Sequence, residues 1–261
     1  MRIAALLREP GLTGIDVNGA DRVLAHRRIV EQKAMIRDVF TELHRLMLDL
    51  EARHLSGEGM RLEIGAGAWP IQLTDPRVLA TDVVPAPHLD RLIDAQAMDL
   101  PDASVKVVFG QHCFHHIPEP ERFLAELERV LKPDGGAILI EPYWSPVAAF
   151  MFRRMFAEEY FDTQAPDWRT VQSGTMEGAN QALSYIVFER DRARFEKLFP
   201  GLEIVHQEAI RNYLRYLLSG GINFRQLVPG MLTGPLKAAE FALSPLNRWL
   251  ALHHVVVLRR K

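Results

Sequence analysis

The residues with the clearest chemical meaning are an acidic side chain and two glycines, Glu63, Gly65 and Gly67, at the end of an apolar run. This pattern is typical of a strand that turns into a helix around a nucleotide-like ligand. A dinucleotide would place its pyrophosphate on the backbone amides of such a turn. Because the carboxylate of Glu63 would repel a phosphate and attract a cation, the sequence favours a ligand with a cationic head.

S-adenosylmethionine is a common cofactor of that description, since it carries an ammonium and a sulfonium group and no phosphate. Asp82 follows Gly65 by 17 residues, at the end of the next apolar run. An acid in this place characteristically binds the ribose hydroxyls of an adenosine-containing cofactor. Asp94 ends a third run, where it could accept the adenine amino group while the amide of Ala95 meets the ring. Each of the two aspartates could instead cap a turn.

The elements that must hold these residues are predicted by short apolar runs that alternate with turn signals. One helix is predicted from Glu119 to Leu131, because its apolar residues share one face and Pro133 to Gly136 end it. Strands that alternate with helices indicate an α/β fold with a doubly wound, mostly parallel sheet. Seven strands are predicted: Met60–Ile64, Val78–Asp82, Arg91–Asp94, Val105–Gly110, Ala137–Glu141, Leu202–Ala209 and His253–Leu258.

The regions on either side of this alternation are predicted to be helical. Apolar residues recur with a period near 3.6 from Asp21 to Leu50, which predicts a helix that is either a packing layer or a lid over the cofactor. We therefore expect an N-terminal helical segment, 1–59, followed by a cofactor-binding domain, 60–261. Helical insertions on the substrate side are expected at about 146–200 and 213–250.

Five motifs appear in order between about Met60 and Glu141. Together they resemble the motifs of the class I S-adenosylmethionine-dependent methyltransferases, most closely the small-molecule branch that includes the quinone-biosynthesis C-methyltransferases. The resemblance implies their Rossmann-like fold and S-adenosyl-L-methionine as the cofactor. The residues that carry it are Glu63–Gly67, Thr81–Asp82, Asp94–Gln96, Val107–Pro118 and Leu131–Gly136.

The resemblance also implies roles for individual residues. Glu63 would hold the methionine amino group, directly or through water, and Gln111 would contact the methionine portion. The adenine loop can be aligned on Asp94 or two residues later, on Gln96 and Ala97; the first alignment is preferred because it keeps the acid. The full set of cofactor-binding residues is then Glu63, Gly65, Ala66, Gly67, Asp82, Val83, Asp94, Ala95, Gln96 and Gln111.

The glycine loop departs from the family pattern. Trp69 stands where the family usually has a third glycine, and Pro70 follows it. Since tryptophan cannot replace glycine where the backbone must approach a ligand closely, we expect a different path after Gly67. The departure leaves open a protein that binds the cofactor without catalysis. Pro70 also opposes a nicotinamide-dependent oxidoreductase, because the dinucleotide motif needs glycine there.

His112 and Tyr143 are the candidate catalytic residues, because each follows a predicted strand at the ligand-binding edge. His112 could act as a general base toward a hydroxyl nucleophile, or pack the loop. Tyr143, with Trp144, could line an acceptor pocket or pack beneath the C-terminal region. No metal is expected from His112, His115 and His116, because they follow a predicted strand and do not form the helical i, i+4 pair of a zinc site.

Composition narrows the classes of partner and compartment. Lysine plus arginine number 31 against 33 aspartate plus glutamate, so the net charge of −2 gives no nucleic-acid footprint. With Cys113 as its single cysteine, a short apolar start and no long apolar run, the chain is expected to be cytoplasmic, without a signal peptide or membrane span. The predicted function is methyl transfer to an O, N or C atom of a small-molecule or lipid-linked acceptor. The apolar stretch 213–250 indicates the lipid-linked option.

Overall fold

A single seven-stranded sheet organises the protein in the computed structural model, which describes residues 6–156 and 158–261. The strand order is β3-β2-β1-β4-β5-β7-β6, and only β7 runs antiparallel to its neighbours. This confirms the predicted doubly wound, mostly parallel sheet. The strands are β1 Met60–Ile64, β2 Leu79–Asp82, β3 Arg91–Leu92, β4 Val105–Gln111, β5 Leu131–Pro142, β6 Leu202–Ala209 and β7 His253–Arg260.

Helices flank the sheet and occur in the regions predicted to be helical, although the described residues between Met155 and Leu183 form none. None of those in the described part of the chain combines the length and apolar character that a membrane span requires. Residues 1–5, which form part of the short apolar start, lie outside the described residues. The α-helices are α1 Ala20–Gln32, α2 Ala34–His54, α3 Pro120–Val130, α4 Pro146–Met155, α5 Leu183–Tyr185, α6 Arg192–Leu198, α7 Tyr213–Ser219, α8 Thr233–Ala242 and α9 Asn247–Leu250.

The long N-terminal helix predicted from Asp21 to Leu50 is two helices. Lys33 separates α1 from α2, with extended backbone angles of φ −100° and ψ 90°. Its ammonium group lies 2.7 Å from Glu9 Oε2 and 3.3 Å from the Gly221 carbonyl oxygen. The prediction was wrong at this residue because tertiary contacts of Lys33 interrupt the helix while the apolar period continues on both sides of it.

The core lies on both faces of the sheet. Side chains at the end of β4 alternate between them: Val107 and Phe109 pack with α2, whereas Val108 packs with α3. An irregular register between Val105 and Val107 places Val105 on the α3 side as well. Helix α2 buries one continuous apolar face, and each fully buried aliphatic side chain stabilises the fold by about 1.5–3 kcal/mol. Helix α2 is therefore a packing layer, as one of the two interpretations of the N-terminal segment predicted. Its buried apolar residues are Met35, Ile36, Val39, Phe40, Leu43, Met47 and Leu50.

The order of the strands reverses between β1 and β4. In open α/β sheets a crevice opens at such a reversal, outside the carboxyl ends of the strands. Here those ends are Ile64 and Gln111, which precede the glycine turn and the histidine-containing loop. The topology thus brings the two most chemically suggestive segments of the sequence to one place.

Candidate functional site

A cavity of about 680 Å³ lies at this crevice. Its volume falls within the range of about 300–1,000 Å³ that is typical of small-molecule sites. Of the predicted site residues, all ten cofactor-binding candidates and His112 line it. Further lining residues come from α1 (Arg22, Val23 and His26), from the loop 172–176 and from Tyr216 and Ile222 near the C-terminal helices.

The glycine turn is fixed to the end of β2 by Asp82. One carboxylate oxygen of Asp82 accepts the amide hydrogen of Gly67 at 3.0 Å, and the other accepts that of Val84 at 3.0 Å. Gly65 and Gly67 both adopt left-handed angles, with φ of 57° and 52°. Asp82 is 9% exposed and lines the cavity, so the carboxylate that shapes the turn also faces the ligand space.

Glu63 is a buried acid directly before the turn, with only 2% of its surface exposed. Its Oε2 accepts the amide hydrogen of Ile71 at 2.7 Å. Burial raises the pKa of Glu63 to about 8, with a further contribution from the nearby carboxylate of Asp82, while the Ile71 hydrogen bond acts in the opposite direction. The carboxyl group is therefore mostly protonated at neutral pH in the ligand-free protein.

The chain after Gly67 forms a single 3-10 turn, Ile71–Leu73, instead of a full helix. This agrees with the short connection between Gly67 and β2. Trp69 itself lines the cavity, as does Ala68. The side chain that replaces the third glycine thus becomes part of the wall.

The third predicted segment forms the opposite wall. Asp94 Oδ1 accepts the amide hydrogen of Gln96 at 2.8 Å, and Gln96 Oε1 accepts that of Glu119 at 3.0 Å. These bonds fix the loop after β3 against the start of α3. Asp94 is exposed, Ala95 and Gln96 are half-buried, and all three face the cavity together with Val83.

Gln111 and His112 line the cavity from the end of β4. Gln111 Oε1 and His112 Nε2 are buried without a hydrogen-bond partner among the described residues. His112 has a left-handed φ of 53°, and its ring lies 4.4 Å from that of His253, centroid to centroid. Burial lowers the pKa of His112 to about 4, so in the ligand-free protein it is neutral and a weak base.

Tyr143 is not brought together with these residues. Its amide hydrogen bonds to the Leu252 carbonyl oxygen at 2.8 Å, and its ring lies 5.5 Å from that of His254. It lines a separate, smaller depression with Glu189. The geometry does not support the predicted catalytic role of Tyr143, because the side chain is outside the main cavity.

Glu141 supports the cavity wall from behind, a role that its position in the sequence did not indicate. It is fully buried at the end of β5 and accepts the amide hydrogens of Cys113 and Phe114 at 2.9 and 2.8 Å. Its Oε2 also lies 2.5 Å from His115 Nδ1. Burial alone would lower the pKa of His115, but the carboxylates of Glu141 and Glu159 outweigh it and raise the pKa to about 10. Its signal in the sequence, an ionisable residue at the end of an otherwise apolar strand, does not specify that role.

Comparison with known proteins agrees with this arrangement. The family profile of a methyltransferase domain matches residues 73–139. This segment of the chain is therefore part of a methyltransferase domain, and S-adenosyl-L-methionine is its cofactor. A search of curated protein sequences found no match.

Several solved structures are similar to this chain. One is geranyl diphosphate C-methyltransferase from Streptomyces coelicolor A3(2), in complex with Mg²⁺, geranyl-S-thiolodiphosphate and S-adenosyl-L-homocysteine. It is 12% identical, with a TM-score of 0.52 over 84% of this chain and 76% of that one. The YcgJ protein from Bacillus subtilis is 15% identical, with a TM-score of 0.43 over 84% of this chain and 98% of that one.

The two glycines of the methyltransferase turn give a matched pair for mutagenesis. A Cβ atom at Gly65 would lie 2.5 Å from Cys113 Sγ, whereas one at Gly67 would meet nothing nearer than 3.7 Å. Left-handed angles cost alanine about 1–2 kcal/mol at either position. Overlap with Cys113 should bring the loss for Gly65→Ala to about 2–4 kcal/mol. Chemical denaturation of both variants measures the difference, and equal losses would contradict the close contact with Cys113.

Proposed function

We propose that this methyltransferase moves the methyl group of S-adenosylmethionine to an O, N or C atom of a small-molecule acceptor. The observation that carries the proposal is that one cavity collects the acid before the glycine turn, the turn itself and the acids that follow the next two strands. The acid before the turn matches the ammonium group of this cofactor, and the turn lets the backbone approach it closely. The two later acids match its ribose and adenine.

The individual roles follow from the chemistry of each group. The carboxylate of Asp82 can accept hydrogen bonds from two ribose hydroxyls, since each of its oxygens has a lone pair beyond the one used by the backbone. Glu63 would pair with the methionine ammonium group and ionise as it does so. Gln111 Oε1, buried and unpartnered, offers a further acceptor toward the methionine portion.

The remaining cavity wall would bind the acceptor. It is formed by α1, by α4 and the segment after it, and by the region near α7, which places aromatic and aliphatic side chains beside the cofactor space: Phe152, Phe156, Tyr216 and Ile222. This wall favours an acceptor with an apolar part, and a lipid-linked acceptor is its extreme form. We further propose that 60–261 is the cofactor-binding domain, and that 1–59 and the insertions at 146–200 and 213–250 supply the acceptor side.

The reaction is an in-line displacement of methyl from sulfonium to the acceptor atom. Because the cofactor is already activated, the protein contributes positioning and the exclusion of water. A general base is needed only if the acceptor must lose a proton. His112, a weak base in the ligand-free protein, is suited to acceptors that lose their proton easily.

Isothermal titration with S-adenosylhomocysteine tests the cofactor assignment directly. We expect one site per chain, with no competition from NADH. Transfer of label from methyl-labelled S-adenosylmethionine to phenols, 2-oxo acids, hydroquinones and polyprenyl compounds then identifies the acceptor class. Absence of S-adenosylhomocysteine binding, or displacement of it by NADH, would overturn the proposal. Binding without transfer to any acceptor would favour a non-catalytic role.

A further inference from the structure

A cluster of two histidines and a carboxylate lies in the cavity wall, apart from the glycine turn. His115 Nε2 is 3.7 Å from Glu159 Oε2, and His116 Nε2 is 3.7 Å from Glu159 Oε1. One ligand atom from each of the three residues lies within 4.8 Å of the others. We propose that His115, His116 and Glu159 form a binding site for a divalent transition-metal ion.

The distances suit such an ion after a small adjustment. Zinc binds imidazole nitrogen and carboxylate oxygen at about 2.0–2.2 Å, which places two ligands of a tetrahedral ion about 3.4 Å apart. The observed separations of 3.7 Å exceed this by a few tenths of an ångström. All three ligand atoms lie within 4.8 Å of one another, so binding of the ion would draw them slightly closer together.

The surroundings orient the ligands as in known metal sites. A metal-binding histidine almost always donates its other ring N–H to a carboxylate or carbonyl group. His115 Nδ1 does so with the fully buried Glu141, which directs Nε2 toward Glu159. The ion would take the place of the proton on Nε2, so binding would release that proton. Gln181 donates from Nε2 to Glu159 and so holds the third ligand in place.

Unpartnered polar atoms point independently to a missing ligand. His116 Nδ1 and Gln181 Oε1 are buried without a hydrogen-bond partner among the described residues. A buried polar atom without a partner costs about 1–3 kcal/mol. A water molecule bound to the ion would donate a hydrogen bond to Gln181 Oε1. His116 Nδ1 carries the ring proton when Nε2 binds the ion, so it would donate to a further water molecule.

The donor set determines the kind of ion. Two imidazoles and one carboxylate suit zinc, iron, cobalt or nickel, whereas Mg²⁺ prefers oxygen ligands alone. Three protein ligands leave coordination positions open, as catalytic sites require. All three residues line the same cavity as the glycine turn, so the open positions face the proposed acceptor space. Resting on the proposed function, the acceptor would therefore present one or two oxygen atoms to the metal.

The histidines near the end of β4 do not by themselves predict a metal site. Glu159, the residue that completes the set, lies 43 positions after His116 in a segment without regular secondary structure. Only the tertiary fold brings the carboxylate to the two imidazoles.

Titration of the full chain with Co²⁺ tests the site, because bound cobalt gives visible absorption bands that report imidazole and carboxylate ligation. We expect one Co²⁺ per chain, displaced by Zn²⁺. His116→Gln and Glu159→Gln should each weaken binding at least about tenfold, since even residues behind the ligands change metal affinity by about 10–100-fold. His206→Gln, which removes a half-buried histidine that contacts His54 on another part of the protein, should leave binding unchanged.

The controls separate this inference from the proposed function. Thermal unfolding without metal shows whether each variant folds. If His116→Gln or Glu159→Gln does not fold, the Co²⁺ affinity of the other variant provides the test. Wild-type protein that binds Co²⁺ no more tightly than the folded variant, or a His206→Gln variant that loses binding equally, would overturn the metal site. S-adenosylhomocysteine binding is measured separately, with a chelator present. If the protein binds S-adenosylhomocysteine but shows no specific Co²⁺ binding, the metal proposal fails and the methyltransferase proposal stands.

Discussion

Replacing Asp82 by alanine is expected to weaken S-adenosylhomocysteine binding by at least about 100-fold, which corresponds to about 2.7 kcal/mol. A hydrogen bond to a charged acceptor contributes about 1.5–3 kcal/mol, and the proposed ribose contact contains two of them. The substitution also removes the hydrogen bonds that Asp82 accepts from the amide groups of Gly67 and Val84, each at 3.0 Å. Isothermal titration of the variant measures the loss.

Two comparisons identify the cause of that loss. Asp99→Ala removes an exposed aspartate from the same part of the chain and should bind like the wild type. An analogue of S-adenosylhomocysteine without the ribose hydroxyls should bind poorly to the wild type, whereas Asp82→Ala should hardly distinguish it from the parent compound. If the variant still discriminates strongly between the two ligands, Asp82 is not the ribose ligand.

The strands were predictable because their signals are local. Apolar runs such as residues 137–140 reflect burial on both faces of the sheet, and this burial is nearly independent of what packs on them. The break at Lys33 was not predictable, because it depends on contacts with Glu9 and Gly221 that are distant in the sequence. The apolar residues keep their helical period on both sides of Lys33, so the sequence pattern does not show the break.

The residues of the candidate site also differ in whether a local signal in the sequence predicts their position. Glu63, Gly65 and Asp82 could be placed from the sequence, since the end of a strand fixes the position of the residues that follow it. Tyr143 satisfied the same rule, but its amide continues the pairing of β5 with β7 and so carries the side chain away from the crevice. Glu159 had no local signal, because its position is set by the packing of an irregular segment.

The largest pH effect is expected at Glu63. Its pKa of about 8 in the ligand-free protein means that the carboxyl group must lose a proton to pair with the methionine ammonium group. Binding at neutral pH should therefore release close to one proton. Affinity for S-adenosylhomocysteine should rise by up to about tenfold per unit between about pH 6 and pH 8, and then level off. Titration in buffers of different ionisation enthalpy measures the released proton.

Glu63→Gln isolates this contribution, because its amide oxygen can still accept the Ile71 hydrogen bond while no proton titrates at that position. The variant should bind S-adenosylhomocysteine more weakly and release fewer protons on binding. Protons that the ligand itself gains or loses are common to both proteins and cancel in the difference. Without ligand, the raised pKa means that the folded state holds this proton more tightly than the unfolded chain. The stability that the proton contributes is complete below about pH 4.5 and is lost as the pH rises through about 8. The variant should therefore gain thermal stability relative to the wild type across that interval, and parallel pH profiles for the two proteins would show that Glu63 does not carry the proton.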